Sequence, residues 1–154
     1  MEDIIVEPGI GIGPIKLGMT REEVKAHEQE WPLKYVTFLI QYEENKVSFI
    51  EVPIDTYNFS GGFSCFVYGI DVVHTKVTQL AEKIDKISNY TRDEGAKWGN
   101  RYAFPEIGLG FWRDGVLNEE DLETEEFKNL DPIIQEDSLR NQYFSTVFIM
   151  YPMV

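Results

Sequence analysis

Hydrophobic positions change period several times along this chain. Residues 4–6 read as a short strand, 9–14 as a glycine-rich loop and 15–17 as a second short strand. Thr20 then offers a helix cap, and Glu23 three residues on completes a capping box. Met19 and Val24 stand where a hydrophobic staple would form, and Pro32 should stop the helix after about Glu30. Residues 35–42 alternate, with Val36, Phe38 and Ile40 on one face. After a polar turn at 43–46, residues 47–52 alternate again, which predicts an antiparallel hairpin.

The second half repeats this rhythm. Residues 55–62 read as irregular and 63–68 as a strand or an extended connection. Thr75 is then the expected cap of a helix in which Val77, Leu80, Ala81, Ile84 and Ile87 fall at helical spacing. Residues 89–99 read as polar loop. A second hairpin or a bulged strand pair is expected over 101–104 and 107–113, where Gly108 and Gly110 would let another element approach one face closely. A helix should run through the acidic residues to about Leu130, where Pro132 interrupts it. Residues 141–151 are apolar on both faces and would be an aggregation hazard at an edge, so a central strand is expected. The pattern predicts an α+β fold: an antiparallel β-sheet built from hairpins, with two or three helices packed on it. At 154 residues one domain (1–154) is expected, with a weak internal duplication relating 19–52 to 75–113.

Charge changes this picture most. The chain has 27 acidic and 14 basic residues, a formal net charge of -13. Such a surface repels nucleic acid and anionic membrane, and attracts and steers cationic partners. The charge is also local. Between Asn118 and Asp137 stand nine carboxylates, Glu119, Glu120, Asp121, Glu123, Glu125, Glu126, Asp131, Glu136 and Asp137, against one cation, Lys128. On one helix, like charges four residues apart, such as Glu119/Glu123 and Asp121/Glu125, would cost about 0.2–0.5 kcal/mol per pair. Solvation alone does not require that cost, so a basic protein partner is the expected reason for it. Trp112, at a strand end beside this stretch, is either an anchor for that partner or a core tryptophan.

Catalytic chemistry is weakly supported. The Gly9, Gly11, Gly13 run is followed by Pro14 and a strand, not by the helix N-terminus that a phosphate loop needs, so a turn is expected. Cys65, Asp71 and His74 have the residue types of a nucleophile, an orienting acid and a base. Cys65 stands among Phe63, Phe66 and Val67, however, where a buried inert thiol is the ordinary outcome. His27 and His74 are the only histidines and lack metal-ligand spacing, and the acidic stretch lacks a calcium-loop pattern. No catalytic residue, metal or cofactor is therefore expected. One cysteine forbids an intrachain disulfide and fits a reducing compartment. The first residues have neither a basic nor a long apolar region of a signal peptide, so a cytoplasmic location is expected.

The opening Gly11-Ile12-Gly13-Pro14-Ile15-Lys16-Leu17-Gly18-Met19-Thr20-Arg21-Glu22-Glu23-Val24 resembles that of a widespread group of small bacterial proteins with no defined activity. The resemblance extends to residues 47–52, 104–113 and 143–147. Its Leu-Gly-Met-Thr-x-x-Glu-Val part is also similar to the helix start of outer-membrane assembly lipoproteins and β-lactamase-inhibitor-like modules, which are small α+β binding domains. This chain shows neither the signal peptide nor the lipobox cysteine of such lipoproteins. In general character it resembles immunity proteins of contact-dependent and polymorphic toxin systems. That resemblance implies a non-enzymatic inhibitor whose carboxylates fill the basic cleft of a nuclease-type toxin. The alternative is an intracellular scaffold or regulatory module, with a homodimer open to it.

Overall fold

The computed structural model describes residues 3–54 and 63–153, so the irregular stretch expected at 55–62 lies outside the described residues. In chain order the first half contains β1 (Ile4–Glu7), β2 (Gly11–Ile12), β3 (Ile15–Lys16), α1 (Arg21–Lys25), β4 (Leu39–Glu43) and β5 (Lys46–Pro53). Then come β6 (Cys65–Val67), β7 (Ile70–Asp71), α2 (Val77–Asp85), α3 (Glu94–Trp98), β8 (Arg101–Phe104) and β9 (Leu109–Trp112). The chain closes with α4 (Glu125–Lys128), α5 (Pro132–Leu139) and β10 (Thr146–Met150). The fold is α+β, as the hydrophobic pattern predicts.

The strands form two sheets where one was expected. The first has the order β3-β2-β1-β6-β7, and the second β4-β5-β10-β9-β8. Neighbours are antiparallel except β1 and β6, which run parallel with Ile4 opposite Cys65 and Val6 opposite Val67. Each half opens with one of these parallel strands and closes with a hairpin of the second sheet, β4–β5 or β8–β9. One cluster of buried side chains joins both sheets to α2. Ile4 and Val6 come from the first sheet, Ile50, Phe111 and Val147 from the second, and Leu80 and Ile84 from the helix.

The last strand, β10, is central, flanked by β5 and β9. Its Val147 and Ile149 point into the core, and Phe148 points to the other face. Phe148 is nonetheless buried. Its ring stacks on Phe49 at 5.6 Å, the Arg101 guanidinium lies 5.0 Å from its centroid, and it rests across Gly110. A Cβ at Gly110 would come within 1.9 Å of that ring, which is why this position is glycine.

Several local expectations are corrected. The capping box of Thr20 and Glu23 is present, but α1 ends at Lys25. Beyond it, His27 and Glu28 donate to carbonyls only three residues back, because Val24 is the one buried side chain of the helix and a further turn would bury nothing. Residues 35–38 are not strand: Val36 N–H bonds to Pro32 O in a turn, and pairing starts at Leu39. Lys76, not Thr75, is the N-cap of α2, since Asp71 Oδ1 already accepts the N–H groups of Val73 and His74. Ile87 lies beyond that helix and is exposed. The polar stretch 89–99 contains α3, capped by Asp93 at its start and by Gly99 in the left-handed region (φ 79°) at its end. Residues 141–145 precede the last strand and are not part of it.

Candidate binding surface

Residues 113–145 leave the second sheet at the end of β9 and return at the start of β10, where Trp112 and Thr146 are paired. Ten carboxylates and three cations lie in this excursion, which thus holds -7 of the chain's net -13 in about a fifth of its length. It is not the single helix expected over the acidic stretch. A 3-10 turn (Glu119–Glu123) and α4 are separated at Thr124, whose backbone is extended (ψ 150°). Pro132 does not interrupt a helix but begins α5, with Asp131 as its N-cap. Proline is well tolerated there, because the first-turn N–H it lacks would have no partner.

Like charge explains the break. In one continuous helix the carboxylates would stack four residues apart and repel. In two short segments, Glu119, Glu120 and Asp121 fill one first turn and Glu125 and Glu126 another. A negative side chain is favourable at a helix start, where unpaired N–H groups and the helix dipole present positive charge. The caps serve the same end. Asp121 Oδ2 accepts the Asn118 N–H at 2.8 Å, and Thr124 Oγ1 accepts the Phe127 N–H at 3.2 Å.

A buried cation holds the excursion in place. Arg113 is only 2% exposed and makes no ion pair with a described residue. Its Nε donates to Gly99 O (2.8 Å), and its Nη1 to Asn141 O (2.7 Å) and, more weakly, to Leu117 O (3.4 Å). Nη2 donates to the Asn118 side-chain oxygen at 3.1 Å. The planar guanidinium thus joins the outgoing limb, the returning limb and the end of α3. Burial draws its pKa below the usual arginine value, opposed by Tyr102 and Asp121; arginine stays charged regardless. A second tie is exposed: Lys76 Nζ donates to Glu119 Oε1 at 2.8 Å. This contact lowers the Glu119 pKa and raises that of Lys76.

The nine carboxylates therefore divide. Glu119 and Asp121 hold the excursion to itself and to α2. Glu123 and Asp137 make loose exposed pairs with Lys128 (3.7 Å) and Arg140 (4.0 Å). Glu120, Glu125, Glu126, Asp131 and Glu136 are exposed and form no ion pair with a described residue. Gln135 fixes α5 to α4: its Nε2 reaches the carbonyls of Phe127 (2.9 Å), Lys128 (3.1 Å) and Leu130 (3.1 Å).

Trp112 lies elsewhere. It is half-buried on the outward face of the second sheet, and its Nε1–H donates to Glu51 Oε1 at 2.7 Å. With Thr37, Leu39, Pro53 and Thr146 it lines an apolar hollow of about 240 Å³ that includes none of the nine carboxylates. Cys65 is fully buried, and burial raises its thiol pKa well above the ordinary value. His74 is exposed and its Nδ1 lies 2.8 Å from Asp71 Oδ2. A thiol in that state is not an activated nucleophile. Among the described residues no group of three His, Cys, Asp or Glu is arranged to hold a metal ion, and no helix is long and apolar enough to cross a membrane.

Sequence reasoning missed two features. Arg113 was legible only as a strand-end arginine beside Trp112, because its partners are mostly backbone carbonyls, which carry no residue signature. The exposure of Ile133 and Ile134 was hidden by the expectation that Pro132 ends a helix. No family model matches this chain, and neither a curated protein nor a solved structure was found to match it.

Proposed function

We propose that this protein is a cytoplasmic bacterial binding protein without catalytic activity, an immunity protein that neutralises a basic, nuclease-type toxin by offering carboxylates to its cationic cleft. One observation carries the reading: five exposed carboxylates without ion pairs to described residues stand on an excursion pinned by the buried Arg113. A pinned surface loses little conformational entropy on docking. Its charge steers a cationic partner into contact and speeds association. A dimer through a sheet edge is less favoured. Edge strand β4 carries a bulge between Gln41 and Tyr42 and ends in Glu43 followed by Glu44, features that discourage strand addition.

The test is co-expression with the protein encoded immediately upstream in the source genome. The expected result is that this upstream protein is basic, arrests growth alone, and is silenced by the present chain. An upstream protein that is harmless, or equally toxic in the presence of this chain, would refute the immunity reading.

A further inference from the structure

The two longest helices are built differently. α2 turns Val77, Leu80, Ala81 and Ile84 into the core, whereas α5 buries none of its side chains. Ile133 is 80% exposed and Ile134 50%, with Leu130 and Leu139 partly exposed nearby. Gln135, two positions from Ile133 and so roughly on the opposite side of the helix, faces the α4 carbonyls. α5 is therefore attached by its polar side, with isoleucine turned to solvent. Glu136 and Asp137 stand three and four positions after Ile133, one turn along the same face. Asp131 occupies the N-cap position at the start of the helix, without a side-chain capping bond.

Solubility would favour polar residues at 133 and 134. Resting on the basic-partner reading above, we infer that Ile133 and Ile134 form the apolar centre of the docking surface, and that the partner contributes a cationic amphipathic segment. Apolar side chains of that segment pack on the two isoleucines, while its Lys or Arg residues meet Asp131, Glu136 and Asp137. Charge selects this occupant over a second copy of the chain. A two-fold contact through α5 sets the same patch against itself, so Glu136 and Asp137 of the two copies would face one another.

The test uses three probes at low salt: a helical-period Leu/Lys peptide, a scrambled peptide of the same composition, and deca-lysine. Binding is measured for the wild type, for Ile133→Ser/Ile134→Ser, and for a variant with Glu120, Glu125, Glu126, Asp131 and Glu136 changed to amides. Neither isoleucine belongs to the core, so the serine variant should keep its circular dichroism. The expected result is tightest binding of the amphipathic peptide, weakened about tenfold or more by the serine changes. Deca-lysine should be indifferent to serine and weakened by the amides. Equal binding of the amphipathic peptide to wild type and serine variant would overturn the inference while sparing the acidic-surface reading. Deca-lysine binding unchanged by the amides would overturn the acidic-surface reading itself. Concentration-dependent dimers abolished by the serine changes would reassign the patch to a second copy.

Discussion

Two connections in the second sheet join antiparallel neighbours in opposite ways. β4 reaches β5 through Glu44 and Asn45, both with positive φ (50° and 63°), a tight turn that matches strand twist. β9 reaches β10 only after residues 113–145, although Trp112 and Thr146 are themselves paired. Closing the longer loop costs roughly 2–3 kcal/mol more in chain entropy. The short turn is fully explained by folding. The long one adds closure cost, carboxylates without ion pairs to described residues and two exposed isoleucines, and is then secured by a buried arginine. Features that folding does not require, held in a fixed place, support the reading of the excursion as a binding surface.

Mutations can separate the two regions. The largest effect is expected in the body. Phe111 is fully buried, stacks on Phe144 at 4.9 Å and meets Phe104 edge-on. Phe111→Ala should cost about 3–5 kcal/mol in urea unfolding. Arg113→Ala comes next, at about 2–3 kcal/mol, because it leaves part-buried carbonyls without their charged donor. It should also speed amide exchange between residues 114 and 142 more than in the sheet. Arg113→Lys should restore only part of the protection, since an ammonium cannot reproduce the guanidinium fork. Uniform exchange changes across sheet and excursion would merge the two regions.

Acid provides a smaller contrast. Arg92 makes paired contacts with Asp85 at 2.8 and 2.9 Å and holds its carboxyl well below the usual range; Lys76 lowers Glu119. Both folded-state values lie below the unfolded ones. Their stabilisation is therefore present above the ordinary carboxylate values of 3.8 and 4.5 and is lost as pH falls through the folded values. Arg92→Gln should flatten the acid limb of a stability–pH curve in the body. Lys76→Gln should flatten only the part due to the excursion. The smallest effect belongs to the five-amide variant, whose stability should stay within about 0.5 kcal/mol of wild type.

How far the sequence reveals this molecule follows the same division. Alternation announced both hairpins, because strands buried on one face repeat every second residue, and apolar residues on both faces announced the central β10. Thr20 and Glu23 announced the start of α1 through side-chain bonds to nearby backbone. The split into two sheets was not legible, since the parallel pairing of β1 with β6 joins residues some 60 positions apart. The acidic stretch was visible as composition, but its shape was not. Thr124 and Asp131 are helix starts, and treating the run as one helix ignored both caps. Trp112, grouped with the carboxylates by proximity in sequence, belongs to the sheet face with Glu51.

The most direct test is the salt dependence of the association rate between this protein and the proposed basic partner, compared for wild type and the five-amide variant. The account predicts a wild-type rate that falls steeply with ionic strength, and a variant rate at least about tenfold lower at low salt with a shallower slope. Equal rates and equal slopes for the two proteins would contradict it.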